Sequence, residues 1–532
     1  MTMYVPRLPI IVLASFSCVI AAPAPTGWTF VQNGTTGIVA IETVIVSPTL
    51  ALMLDRAQND PLKLDGFSAW GAFWNLETNT ASPVSLVSDT FCGSGGFLSN
   101  GTMVSIGGNP AESPATEPDT DGLMMIRLLE PCTDPNGIGC TIFENAATFH
   151  LTTTRCFEFF PPKDNGVARP STFLERSLPV NLFPRGLSLP DGRVFMVANN
   201  QTIIYDIETE TETILPDIPN SVRVTNPFDG TATLLPLSPP LYTPEVLVCG
   251  GSNSSDTTPQ AQHSPEDPAS DQCSRIVVTP EGIQRGWVVE RMPEARILPE
   301  MILLPDGRVL IINGAETGYA GYSSNGSAAV SNSDHPVLRP VLYDPNAPLG
   351  QRFSNDGLPS SEIARVYHSS VTLTPNGNIL VAGSNPNLNP NIVNNTRFPT
   401  EFRAEYLNPP YMNVERPELH DVPATLPFNH AFTVPVVVPP GLKANDVQVS
   451  LVDLGFSTHA FHSSQRLVFM HAVLSPNRDS ITITTPPNNR VYPPGPGWIF
   501  LTVDGITSTG TQVLLGNGQA PPVQDQGVPL ML

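Results

Sequence analysis

IARVYHSSVTLTPNGNILVAGSN, residues Ile363–Asn385, carries a Tyr-His pair at Tyr367-His368 and then a β-hairpin pattern. Val371, Leu373, Ile379 and Val381 alternate around a Pro-Asn-Gly turn, and Gly383 follows. Successive side chains of a regular strand point to opposite faces. For Tyr367 and His368 to serve one site, the backbone must bend there, as at a loop or bulge just before the hairpin.

The same hairpin recurs along the chain. It appears as FLSNGTMVSIGG at Phe97–Gly108, LSLPDGRVFMVA at Leu187–Ala198, LLPDGRVLIING at Leu303–Gly314 and TLTPNGNILVAG at Thr372–Gly383. A looser copy joins Ala232–Leu237 to Val246–Gly251. Repeats of roughly 40–50 residues built this way predict an all-β fold, a β-propeller, kelch-like by the Gly-Gly ending. The copies end near residues 108, 198, 251, 314 and 383. The first interval is about 90 residues, roughly two blades long. Yet no Gly-turn hairpin lies between Gly108 and Leu187, so a copy is missing there. Ahead of the repeats, Trp28–Leu54 reads as two or three strands and Phe67–Leu76 as an aromatic-rich strand. After Pro409-Pro410-Tyr411 the repeat stops. Short alternating strands from Arg416 to about residue 517 then suit an immunoglobulin-like β-sandwich. The expected organisation is a signal peptide over 1–22, a propeller over 23–412, a sandwich over 413–518 and a tail over 519–532.

Composition supports this reading. The chain has 532 residues with 58 Pro and 40 Gly, which favours short strands and turns over long helices. With 40% hydrophobic residues it does not read as disordered. A net charge of -22 with no basic run excludes nucleic acid and anionic membrane surfaces as partners. Arg7, the apolar run Leu8–Ile20 and Ala21-Ala22 predict a secretory leader too short to span a bilayer, hence an extracellular protein. Cysteine usage fits export. Cys132 with Cys140, and Cys249 with Cys273, flank loops that disulfides would close, leaving Cys92 and Cys156 without obvious partners. Sequons stand at Asn33, Asn100, Asn200, Asn253, Asn325 and Asn394.

Of the nine histidines, His368 and His459 carry most interest; His459 lies in GFSTHAFHSSQRL, in the second domain. Two imidazoles and the Tyr367 phenol meet only if that domain reaches over the propeller. Such nitrogen and oxygen donors suit Cu(II). The plainer alternative is a pair of hydrogen-bonded histidines at a domain interface. His462 is either a further ligand or structural. No nucleophile elbow, zinc-protease, phosphate-loop or dinucleotide motif is present.

Several stretches are more specific: LDGFSAWGAFWNLET (64–78), TFCGSGGFLSNGTMVSIGGNP (90–110), RVYHSS (365–370), AGSNPN (382–387), FPTEFRAEYLNPPY (398–411) and GFSTHA with QRL (455–467). On these the chain resembles the glyoxal oxidase branch of the copper radical oxidases, distant relatives of galactose oxidase. The resemblance implies a seven-bladed propeller, a C-terminal immunoglobulin-like domain and one copper ion near the propeller axis. It makes Tyr367 the axial phenol, His368 and His459 the imidazole ligands, and Cys92 the cysteine bonded to a second, radical-bearing tyrosine. The family carries that tyrosine in an Arg-Trp-Tyr motif upstream of a Tyr-Glu-Phe-Phe-Pro-Pro segment. Here Arg155-Cys156 runs straight into Phe157-Glu158-Phe159-Phe160-Pro161-Pro162. Either Phe157 aligns with the second motif and a blade is absent, or Phe157 takes the tyrosine's place. Both leave Cys92 without a nearby tyrosine in sequence.

The resemblance therefore implies a secreted oxidase of small aldehydes such as glyoxal. It would use O2, release H2O2 to extracellular peroxidases, act as a monomer and bind no membrane. The Tyr-Cys radical cofactor is expected to be absent and activity impaired. Six blades, or a broken seventh, are expected. A faulty gene model and true divergence remain alternative origins. The rival function is a non-catalytic propeller binding glycan or wall polymer.

Overall fold

Apolar alternation broken by Gly turns yields short antiparallel strands, and these assemble into four-stranded blades. The computed structural model describes residues 27–111, 119–146, 155–322, 331–388 and 396–530. The expected leader and the sequons at Asn325 and Asn394 lie outside the described residues.

Six blades are formed among the described residues. Blade 1 comprises Glu42–Ile45, Leu50–Leu54, Gly71–Asn75 and Thr80–Pro83. Blade 2 comprises Ser94–Phe97, Met103–Ile106, Met125–Leu129 and Ile142–Ala146. Blade 3 runs over Arg185–Ser188, Val194–Ala198, Gln201–Asp206 and Thr211–Ile214. Blade 4 runs over Gly230–Leu234, Glu245–Gly250, Gln272–Val277 and Val288–Arg291. Blade 5 uses Glu300–Leu303, Val309–Ile312, Val341–Tyr343 and Phe353–Ser354. Blade 6 uses Ser369–Leu373, Ile379–Gly383 and Arg403–Asn408, and its outermost strand is the N-terminal Thr29–Thr35. The five sequence copies are thus blades 2 to 6. Blade 1 turns through Ser47-Pro48-Thr49 without glycine, which is why the repeat pattern missed it.

Between blades 2 and 3 the described residues hold no seventh blade. They contain a two-stranded piece, Cys156–Phe157 with Arg169–Pro170, and the helix Thr172–Arg176. Phe157 packs with Phe173 and Tyr205 of blade 3, its ring centroid 5.0 Å from that of Tyr205. Inner strands lie side by side from blade 3 round through blade 6 to blade 1.

Buried arginines tie several blades. Arg127 donates to the carbonyls of Gly107 and Asp89, and Arg296 to those of Asn313 and Arg339. Arg185 pairs with buried Asp229, and Arg365 with buried Glu405. A buried guanidinium is tolerated only with such partners. Sequence periodicity had no way to flag them. Cys132–Cys140 and Cys249–Cys273 are disulfide-bonded, the second joining facing residues of neighbouring strands in blade 4.

The second domain is a curled sheet following the order Ala431–Val437, Ser480–Thr484, Arg466–Leu474, Val447–Asp453, Gly495–Val503 and Thr511–Leu515. Val434, Ile481, Leu451, Ile499 and Val513 fill its interior, and the same core continues into Leu234 and Val246 of blade 4. One hairpin, Phe456–Thr458 with Phe461–Ser463, leaves this domain and enters the propeller. It extends the inner edge of blade 1 through Val44↔Phe456 and Thr43↔Ser457. It also touches the innermost strand of every blade, so it occupies the axis. Gly95 in blade 2 permits this approach. A Cβ there would lie 2.7 Å from the Phe456 ring.

Candidate metal centre

Tyr367 and His368 immediately precede the inner strand of blade 6. Arg365 anchors the approach by donating from Nη1 to the Gly383 carbonyl at 2.7 Å and from Nη2 to the Arg403 carbonyl at 3.0 Å. The bend required by the sequence is present, because His368 takes φ 63° before the strand begins. The turn brings the two rings together, with centroids 3.6 Å apart.

His459 arrives from the other domain, at the tip of the axial hairpin. His459 and Ala460 form its two-residue loop with φ of 47° and 60°. Such loops normally use Asn-Gly, since both residues need positive φ. A His-Ala loop is strained, and strain of this kind concentrates at functional sites. Thr458 Oγ1 lies 2.7 Å from His459 Nδ1, which sets the ring and leaves Nε2 free of that bond. Nε2 is 3.5 Å from the sulfur of Cys92, itself at φ 63°.

Cys92, His368 and His459 each offer a donor atom, and these atoms lie within 4.8 Å of one another. The imidazole centroids of His368 and His459 are 5.4 Å apart, and the Tyr367 ring is 6.3 Å from that of His459. Among the described residues neither nitrogen of buried His368 has a hydrogen-bond partner. Unpaired buried ring nitrogens are costly, and a metal ion would satisfy one. Burial holds His459 down to about 3 and His368 well below its usual value, so both are neutral with lone pairs available. Burial likewise raises the Tyr367 phenol well above its usual value. These donors fit a copper ion.

The axis hairpin is locked beneath the site by Glu300. Its carboxylate accepts from Ser369 Oγ at 3.1 Å, the Val371 amide at 3.1 Å and Ser457 Oγ at 2.9 Å. His462, which the sequence left open as a ligand, is structural: its Nε2 pairs with the Val371 carbonyl. Phe157 packs on blade 3, outside the site, which favours the alignment that omits a blade.

Four residues around the donors escaped sequence reasoning. Phe183, from the neck of blade 3, stacks on His459 with centroids 3.7 Å apart. Phe91 meets His368 edge-on at 5.3 Å and stacks on Tyr322 at 6.0 Å. Tyr322 lies 5.3 Å from His368 and 5.7 Å from Tyr367. The Arg56 guanidinium covers both Phe91 and Tyr322. Tyr322 sits in a polar stretch between two hairpin copies, outside every repeat unit. The run Gly318-Tyr319 and Gly321-Tyr322 right after a blade strand was the available signal.

A family model described as Glyoxal oxidase N-terminus matches residues 151–411, and one described as Galactose oxidase-like, Early set domain, matches residues 416–515. An aldehyde oxidase GLOX of Vitis pseudoreticulata is 31% identical over 549 residues, covering 93% of this chain and 98% of that protein. Aldehyde oxidase GLOX1 of Arabidopsis thaliana is 28% identical over 478 residues, covering 82% of this chain and 73% of that protein. A fungal alcohol oxidase solved in complex with copper superposes with a TM-score of 0.58 at 13% identity, over 92% of this chain and 100% of that chain. At that identity the likeness concerns the fold.

Proposed function

The chain belongs to the glyoxal oxidase family of copper radical oxidases, and from that premise we propose a secreted copper protein whose aldehyde oxidase activity is impaired. The observation that carries this reading is the meeting of Tyr367, His368 and His459 from two domains at one buried point.

The reaction converts an aldehyde, water and O2 into a carboxylic acid and H2O2, with small substrates such as glyoxal or methylglyoxal. When bound, copper supplies a Lewis-acid site and a one-electron couple. His368 and His459 would hold the ion with neutral imidazoles. Thr458 fixes the orientation of His459 through Nδ1. Burial keeps the Tyr367 phenol protonated, and it could exchange that proton with substrate. Phe91, Tyr322 and Phe183 wall the point off with aromatic surface.

Removing two electrons needs a second redox group, which the family places on a tyrosine joined to the cysteine at Cys92. Among the described residues no blade that would bring that tyrosine stands between blades 2 and 3, and Phe157 packs on Tyr205. This supports impairment. The protein is taken to act outside the cell as a monomer, and extracellular peroxidases would be its partners only if the oxidase activity were intact.

The test uses the purified full chain loaded with copper. One tightly held copper per chain and background peroxide from glyoxal are expected. Peroxide release at rates of about 1 per second or more would overturn the impairment. Failure to hold copper would overturn the whole reading.

A further inference from the structure

Cys92 remains where the family would cross-link it, and its sulfur faces the metal donors. We propose that copper in this chain is coordinated directly by the Cys92 thiolate together with His368 and His459. Tyr367 then stands as a weak fourth contact, so the centre is a copper–thiolate site rather than a copper–radical one. The proposal rests on the copper reading above and specifies the ligand set.

The geometry carries it. The Cys92 sulfur is 3.5 Å from His459 Nε2, and no two of the three donor atoms are more than 4.8 Å apart. With bonds of about 2.0–2.3 Å, donors around one ion stand roughly 3.5–4 Å from each other. Two imidazoles, one thiolate and a distant axial contact form the donor set of one-electron copper sites. All three donor residues are held at positive φ: 63° for Cys92, 63° for His368 and 47° for His459. Three non-glycine residues in that region, from three separate segments, indicate a site the fold constrains at a cost.

The turn that presents Cys92 is built for this. Asp89 Oδ1 accepts from the Phe91 amide at 2.8 Å, and the Gly93 amide donates to the Thr90 carbonyl at 3.0 Å. Beyond Gly93 lies buried Glu42; a Cβ on Gly93 would stand 3.1 Å from Glu42 Oε1. Glu42 is fully enclosed there. Cys92 takes part in no disulfide among the described residues. Enclosure of the sulfur, with Glu42 and Asp89 nearby, pushes the Cys92 thiol up when no cation is bound. A bound cation inverts that balance, since a coordinating thiol gives up its proton outright.

The step balances simply. The S–H bond of Cys92 breaks, its proton leaves to solvent, and the sulfur's electron pair forms the bond to copper with no change in metal oxidation state. The resulting centre has one redox-active member. It exchanges single electrons with an external one-electron donor and cannot carry out a two-electron oxidation alone.

X-ray absorption at the copper edge of the full chain, loaded anaerobically with one equivalent of Cu(II), tests the proposal. One sulfur neighbour at about 2.3 Å is expected beside nitrogen neighbours at about 2.0 Å. An intense visible sulfur-to-copper band is expected with it. Cys92→Ser should lose both and bind copper at least 10–100-fold more weakly, matching or exceeding the loss of a supporting partner. A shell of nitrogen and oxygen alone in the unaltered chain overturns the thiolate proposal but leaves the copper reading standing. No bound copper overturns both. Peptide mass mapping that recovers Cys92 as a thioether with a tyrosine, Tyr322 included, overturns it as well.

Discussion

His368 and His459 reach the same point by opposite routes. His368 belongs to blade 6, stands directly before a fully buried inner strand, and is braced by Arg365 two strands deep into the same blade. His459 rides on a two-residue turn of a hairpin that leaves a different domain. Its hold comes from Phe456, buried against blades 1 and 2, and from the Glu300 network. The first ligand is placed by its own blade, the second by docking between domains. Damage on the two sides should therefore separate.

Phe456→Ala should have the largest effect. Truncating a fully buried phenylalanine costs about 3–5 kcal/mol. Copper binding should fall with it, because the hairpin loses its fit beside Gly95. Denaturation curves and metal content check both. A variant that loses stability yet binds copper as tightly as the parent would break the contrast between the ligands.

Close behind it, Arg365→Met should cost about 3–5 kcal/mol by stranding the Glu405 carboxylate. Here the damage should centre on blade 6. Hydrogen exchange should rise at Ser369–Leu373 and Ile379–Gly383 while Phe456–Thr458 stays protected. Equal loss of protection in the hairpin would show that the two supports are one cooperative unit.

Glu300 joins the two sides and gives a pH signature. Burial outweighs its hydrogen bonds and raises the carboxyl to about 8 from 4.5. Between those values the folded chain keeps a proton that the unfolded chain has lost, so stability falls as pH rises through this window. Buried His368, His459 and His462 act in the opposite sense, but only below the unfolded imidazole value of about 6.5. From pH 7 to 8 the histidine contribution fades and the carboxyl effect comes to dominate, with a slope of up to about 1.4 kcal/mol per pH unit per proton. Glu300→Gln should flatten that slope in pH-dependent melts. Buried Glu42 and Asp453 contribute in the same direction, so a remainder should persist. An unchanged slope would mean that Glu300 is ionised in the folded chain.

The smallest change concerns orientation alone. Thr458→Val removes the hydroxyl beside His459 Nδ1 while nearly preserving shape. Copper affinity should drop about tenfold with little change in stability. Competition with a chromophoric chelator would measure this, and an unaltered affinity would assign the Thr458 hydroxyl a packing role only.

The sequence by itself determined what depends on near neighbours. Alternating polarity and a Gly turn specify a hairpin within about a dozen residues, and so blades 2 to 6 and the lost copy before Leu187 were legible. The Tyr367-His368 pair was legible too, together with the need for a bend that φ 63° at His368 supplies. The tertiary structure decided what depends on closing the ring. The sequence pattern did not indicate that Thr29–Thr35 would complete blade 6 or that the hairpin at Phe456 would fill the axis. Nor did it show that Phe183 and Tyr322 would surround the donors, or that His462 would turn to the Val371 carbonyl. Cys92 and His459 stand 367 residues apart in the chain and 3.5 Å apart in space. Hydrogen bonds and side-chain alternation act over a few residues, whereas such a meeting is set by the packing of every blade between them, and no local pattern encodes it.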